Sequence, residues 1–211
     1  MPSIAAFPSI TPTSSTMGLI TNSKSFVSPL TGYTQTSSRK GNRWFLRMVF
    51  NNLQTDERGV LKGYFAFMEG QVNRIEVGDH SYTGARGALG GTPKVKGVDQ
   101  SGTSLITDGW PNSTVVLKAG DLFSFNNGTY NELKMVTADG TSDGSGNLTI
   151  SIMPEIHTSP ADNAVITTSS PVGTFMLVEN MLGWTNRPGQ LAGVVAPLSD
   201  YAVDLIEDIG T

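Results

Sequence analysis

LKAGDLFSFNNGTYNELKMVTADGTSDGSGNLTISIMPEI, residues 117–156, has no helix-length apolar face. It breaks instead into short alternating runs: LFSFNNGTY, ELKMVTAD and NLTISIMP, with VVLKAGD leading in from residue 115. In the last run Leu148, Ile150 and Ile152 fall on one side, and Thr149, Ser151 and Met153 on the other. That period of two belongs to a half-buried strand. Asn127-Gly128 and Asp139-Gly140 punctuate the runs. Both pairs tolerate positive φ and predict turns. The stretch therefore predicts an all-β module rather than a linker.

Upstream, NRWFLRMVF (42–50) alternates in the same way. Trp44, Leu46, Met48 and Phe50 share one face; Arg43, Phe45, Arg47 and Val49 share the other. GLITNSKSFVSP gives a strand before it, ending at Pro29. One helix follows. Thr55 or Asp56 is placed to cap it, Val60, Leu61, Tyr64, Phe65 and Met68 recur at helical spacing, and Gly70 stops it. Gly59 and Gly63 each weaken it by up to about 1 kcal/mol. Val72 to Val77 reads as a strand, residues 80–112 as irregular except that PKVKGVDQSGTSLITDGWP alternates again and closes on Trp110-Pro111, and Ala164–Thr168 and Thr174–Glu179 as further strands. The tail SDYAVDLIEDIG reads as a short acidic helix or strand, with Ala202, Leu205 and Ile206 on its apolar face.

The expected fold is mainly β: a β-sandwich carrying one α-helix, joined to a small barrel-like β module. Four parts are expected. Residues 1–17, rich in Pro, Ser and Thr, form an extended N-terminal arm, disordered or laid along a neighbour. Residues 18–79 form the sandwich and helix, 80–165 the barrel-like module or insertion, and 166–211 the returning strands and acidic tail.

Composition narrows the function. The 211 residues include no cysteine, so there is no disulfide framework and no thiolate metal site. This fits a protein made in a reducing cytosol. No apolar run reaches the ~18 residues of a membrane span, and the start lacks the basic residues of a secretory signal. The net charge of −4 is uneven. Residues 1–118 hold 12 Lys+Arg and 7 Asp+Glu (+5); residues 119–211 hold 2 and 11 (−9). Unlike ends can pair between copies. The basic residues are spread out, which disfavours direct nucleic-acid binding.

Motifs for chemistry are absent. His80 and His157 sit in loop-like contexts, and SGTS at 101–104 is not a nucleophile elbow. The glycines of 84–91 lack the Walker lysine and the G-x-G-x-x-G spacing. Asp139, Asp143 and Asn147 lack the every-second-residue ligands and closing glutamate of a calcium loop. No catalytic, cofactor or metal residues are expected. Trp44, Trp110 and Trp184 read as core or interface packing, with sugar binding as the alternative.

The order of motifs resembles the distal tail proteins of long-tailed bacteriophages. FVSPLTGYTQTSSRKGNRW (26–44) is similar to that family's opening segment, and LKGYFAFMEGQVNRIEV (61–77) to its helix and following strand, with Ile75 in place of the usual aromatic. QSGTSLITDGWP (100–111) resembles its G-s-L…G-w-P block. The next block is matched through Leu117, Gly120, Asp121, Tyr130, Val136, Asp143, Gly146, Pro154 and Pro160, with an extra NEL near 131–133 and His157 in place of arginine. The likeness covers roughly 25–180.

The resemblance implies a structural virion protein, made in the host cytoplasm and placed at the tail tip or baseplate. It implies a ring, typically of six copies, that joins the tail tube protein to the baseplate hub and tail fibre proteins. Another tail component (tube, terminator or stopper) and a host-surface carbohydrate-binding module are the alternatives. Arg39, Arg43 and Arg47 are the expected contact residues on the basic half. Asp200, Asp204, Glu207 and Asp208 are their expected counterparts on a neighbour, or face the lumen. Trp44 and Phe65 are the expected core anchors.

Overall fold

The computed structural model describes residues 2–51, 53–180, 183 and 201–210. The protein is mainly β: a sandwich part carrying one helix, joined to a small barrel-like module. In chain order the elements are β1 (Ile4–Ala6), β2 (Ser14–Ile20), β3 (Ser23–Val27), β4 (Thr34–Ser38), β5 (Arg43–Phe50), α1 (Thr55–Phe67) and β6 (Arg74–Val77). Then come β7 (Lys94–Val95), β8 (Gly102–Asp108), β9 (Val115–Leu117), β10 (Leu122–Asn126), β11 (Asn131–Val136), β12 (Gly140–Thr141), β13 (Leu148–Ile156), β14 (Ile166–Thr167), β15 (Gly173–Leu177) and β16 (Tyr201–Glu207).

The first sheet has the order β1-β6-β15-β16-β5-β2, antiparallel except for the parallel β1–β6 pair. The strongly alternating β5 lies between β16 and β2 and turns Trp44, Leu46, Met48 and Phe50 inward. β16 answers with Tyr201, Val203 and Leu205. The helix covers this face with Leu61 and Phe65, and its C-cap residue Met68 joins them. Each such large apolar side chain contributes about 1.5–3 kcal/mol on burial. Val60, on the expected apolar face, is exposed. The helix cap is Gln54, not Thr55 or Asp56: the Glu57 carboxylate accepts the Gln54 backbone N–H at 2.9 Å.

Three expectations change. Residues 1–17 are not a free arm. β1 and the start of β2 complete the two sides of the chain's own sheet, and Ile10 is buried. Of the two forms expected for the tail, Tyr201–Glu207 takes the strand, but the expected apolar face does not form: Leu205 is buried, Ala202 is exposed and Ile206 is half-buried. β14, in the segment expected to return to the sandwich, belongs to the second sheet.

That second sheet runs β14-β10-β11-β13-β8-β7. It nearly closes, because Val95 N donates to Ala164 O, Asn163 N to Val95 O, and Ile166 N to Pro93 O. Leu148, Ile150 and Ile152 of β13 fill its interior with Phe123, Phe125 and Val136. Asn127-Gly128 turns β10 into β11, with Gly128 at φ +100°. Asp139-Gly140 is not a turn; Gly140 starts β12, and the chain reverses instead at Asp143–Gly146. Two small sheets, β9–β12 and the hairpin β3–β4, complete the set.

Sheet and barrel pack through β10 and β11, which are covered on both faces. Leu122 and Leu133 join the first core, while Phe123, Phe125 and Val136 join the second.

The backbone crosses itself closely where Gly91 meets Gly109. A Cβ on Gly91 (φ +72°) would lie 2.1 Å from Gly109 O, and one on Gly109 (φ +78°) would lie 2.4 Å from Thr92 O. Gly91→Ala is expected to destabilise the protein by about 3 kcal/mol, from left-handed strain and backbone overlap together. Gly63→Ala, whose added carbon meets open space, should instead be neutral or gain up to about 1 kcal/mol. Denaturant midpoints compare the two; equal midpoints would contradict the crossing.

Candidate interaction surface and the buried joint beneath it

The β3–β4 hairpin pairs with itself alone among the described residues, from Ser23↔Ser38 to Val27↔Thr34. Every residue of both strands is exposed. Its connection is closed by Ser28 N to Tyr33 O and Gly32 N to Ser28 O, with Gly32 at φ +70°. The outer half is apolar: Phe26 is 63% exposed, Leu30 94% and Tyr33 78%. A shallow groove of ≈ 600 Å³ runs along it, lined by Lys24, Ser25, Phe26, Gln35, Thr36 and Ser37. Residues 22–40 hold Lys24, Arg39 and Lys40 and no carboxylate.

Two-stranded hairpins alone in water are marginal, so the root matters. Asn22 N donates to Asn42 Oδ1 at 2.7 Å, and Arg39 N to Asn22 O at 2.8 Å. Asn42 Nδ2 in turn donates to Glu155 Oε2 at 2.7 Å, and Gly41 N to Glu155 Oε1 at 2.7 Å. One barrel carboxylate thus clasps the hairpin's base.

Glu155 opens onto a larger buried network. Lys134, fully buried, donates to the Glu155 carbonyl at 2.8 Å and pairs with Glu132 Oε2 at 2.8 Å. Glu132 also accepts Asn127 Nδ2, His157 N and Thr158 N. Burial works against the Glu132 charge, but the Lys134 ammonium and these donors outweigh it and hold the carboxyl below its usual range. Burial likewise opposes the Glu155 charge, and the backbone and Asn42 donors overcome it. Burial and then Lys134 push the His157 imidazole down, towards its neutral form.

The sequence-predicted contact residues separate. Arg39 is exposed beside the hairpin root, and Arg43 is half-buried at the start of β5. Arg47 is exposed and lies 3.7 Å from Asp204 of its own chain, because β16 pairs with β5 at that register. Such an exposed pair contributes about 0–1 kcal/mol. Glu207 faces neither a neighbour nor a lumen. It is fully buried, because positions 201, 203, 205 and 207 of an interior strand all point into the core. Asp208 is largely buried and pairs with Arg74 within the chain. Asp200 lies outside the described residues, as does Trp184. Trp44 and Phe65 sit in the first core. Trp110 is also buried, its indole N–H bonded to Thr107 Oγ1 at 2.8 Å, so it offers no sugar-stacking face.

Asp143 caps its own loop, accepting Ser145 N, Asn147 N and Asn147 Nδ2. Among the described residues, no group of three His, Asp or Glu is placed to hold a metal ion. No family model matches the sequence, and no curated protein matches it significantly.

Sequence reasoning missed Asn42, Glu132, Lys134 and Glu155. The only signal was a Glu-x-Lys spacing on a strand, which ordinarily marks a solvated face.

Proposed function

We propose that this chain is a structural ring component of a bacteriophage tail, of the distal tail or baseplate kind, rather than an enzyme. The observation that supports this best is the hairpin: an unpaired, exposed, apolar-tipped and purely basic projection on a chain of net charge −4. With +3 on residues 22–40, the remainder carries −7. A second copy of the same chain therefore offers the hairpin an attractive field. A projection meeting a different patch on the next copy is a heterologous contact, which closes into a ring when its rotation permits. The motif order across residues 25–180, with its likeness to distal tail proteins, supports six copies, with the tail tube on one side and hub and fibre proteins on the other. The virion, at the tail tip, is then the place of action.

Electron microscopy of the purified full chain tests this reading. Rotationally symmetric rings with a central hole are expected. A field of single particles of monomer size at high concentration would overturn it, and glycan binding by those monomers would favour a host-surface module instead.

A further inference from the structure

Helix α1 has an outer face that the described residues leave bare. Leu61 and Phe65 turn inward onto the first core. Asp56, Val60, Gly63 and Phe67 follow one another at steps of four, three and four residues, so they share a different face. All four are exposed, Val60 at 51% and Phe67 at 38%. Tyr64 borders this face, its hydroxyl donating to Ala5 O at 3.1 Å. The face is apolar along its length and negative at its head, where Asp56 and Glu57 make the first turn acidic. The two cations of the helix lie elsewhere. Lys62 lines a hollow with Phe65, Glu69, Gly70 and Leu177, and Arg58, four residues before it, belongs to that same flank.

Two glycines lie on or beside the bare face. Gly59 and Gly63 each weaken the helix by up to about 1 kcal/mol relative to alanine. A Cβ added at either would meet nothing within 4 Å, and neither has a positive φ. Nothing in the described fold requires them. A backbone laid against the helix from outside would.

We propose that this face is the seat of the β3–β4 hairpin of the next copy. The inference rests on the ring reading above and names the patch that the hairpin meets. Charge selects the occupant. Residues 22–40 carry Lys24, Arg39 and Lys40 and no carboxylate, and they meet a face whose charged members are Asp56 and Glu57. Apolar groups match as well: Phe26, Leu30 and Tyr33 project from the hairpin's outer half, and Val60 and Phe67 receive them. Gly59 and Gly63 allow the hairpin backbone a close approach. The hairpin root is held by Glu155 through Gly41 and Asn42, so little ordering cost opposes docking. Hairpin and helix are different patches, so each copy gives one and receives the other, as a closed ring requires.

The chain contains no cysteine, so introduced thiols report the contact without background. Thr31 lies in the exposed turn of the hairpin. Full-length chains carrying Thr31→Cys and Val60→Cys, co-expressed and treated with a short bismaleimide, should join as a covalent dimer, while neither variant alone does. Both changes in one chain should give a ladder of multimers. Gly63→Lys supplies a second measurement. Its melting temperature should equal or exceed the parent's, because lysine suits an exposed helix position better than glycine. Its self-association should fall by at least about tenfold, because the side chain fills the seat and repels a basic hairpin. Parent rings that yield no product joining positions 31 and 60, with undiminished assembly of Gly63→Lys, would overturn the seat alone and leave the helix face to another protein. A parent chain that stays monomeric at high concentration would overturn the ring reading and the seat with it. If Gly63→Lys does not fold, the cross-link decides alone.

Discussion

Replacing Phe26, Leu30 and Tyr33 together by serine is expected to leave a folded chain that no longer self-associates. All three are well exposed on the hairpin, and none belongs to either buried core. Surface changes of this kind usually move stability within about 0.5 kcal/mol each. Apolar anchors at the centre of an interface, by contrast, cost about 2 kcal/mol or more apiece when truncated. Three such losses would lower association by several powers of ten. Leu30→Asp alone provides a second variant. It leaves both strands intact and sets a charge at the tip, in the turn between them. Sedimentation and a thermal melt together check the result: an unchanged melting temperature with the assembled species gone. Assembly as strong as the parent's in both variants would remove the hairpin from the interface.

The second large effect lies inside the molecule. Lys134→Met should destabilise the protein by about 3–5 kcal/mol, because it strands the Glu132 carboxylate, 1% exposed, without its cation. Adding Glu132→Gln should recover much of that loss, since the uncompensated charge is then gone. Arg47→Met, which opens only an exposed pair at 3.7 Å, should cost less than about 1 kcal/mol. Denaturant unfolding of the three variants orders them. A Lys134→Met midpoint indistinguishable from that of Arg47→Met would show that the buried pair carries little energy. A double variant no better than the single would show that the lost packing of the lysine stem, rather than charge, dominates.

The strands were legible where one face is wet and one dry. β5 and β13 announced their inward residues two by two, and both register correctly. The helix was legible from Leu61, Phe65 and Met68. Its cap was not, because glutamine is a weak capping signal beside the neighbouring Thr55 and Asp56. β11 misleads for a physical reason. Glu132 and Lys134 alternate with Leu133 as a surface strand would, but both faces of the strand are covered. A charge pattern reports solvent only where there is solvent. The same blindness applies to Glu207, whose acidic setting suggested an outer patch and whose strand is interior. The N-terminal residues failed differently. Their Ser, Thr and Pro content is poor in apolar side chains, yet β1 and β2 are fixed by ladder hydrogen bonds along β6 and β5, which composition does not encode.

The central claim is that this β-built chain works by docking with its own copies around a hole. The mass of the full 22.4 kDa chain in solution, by sedimentation equilibrium over a wide concentration range, tests it most directly. The account predicts a closed species of several copies, near six, that dissociates in the hairpin variants. A mass of one chain at every concentration would contradict it.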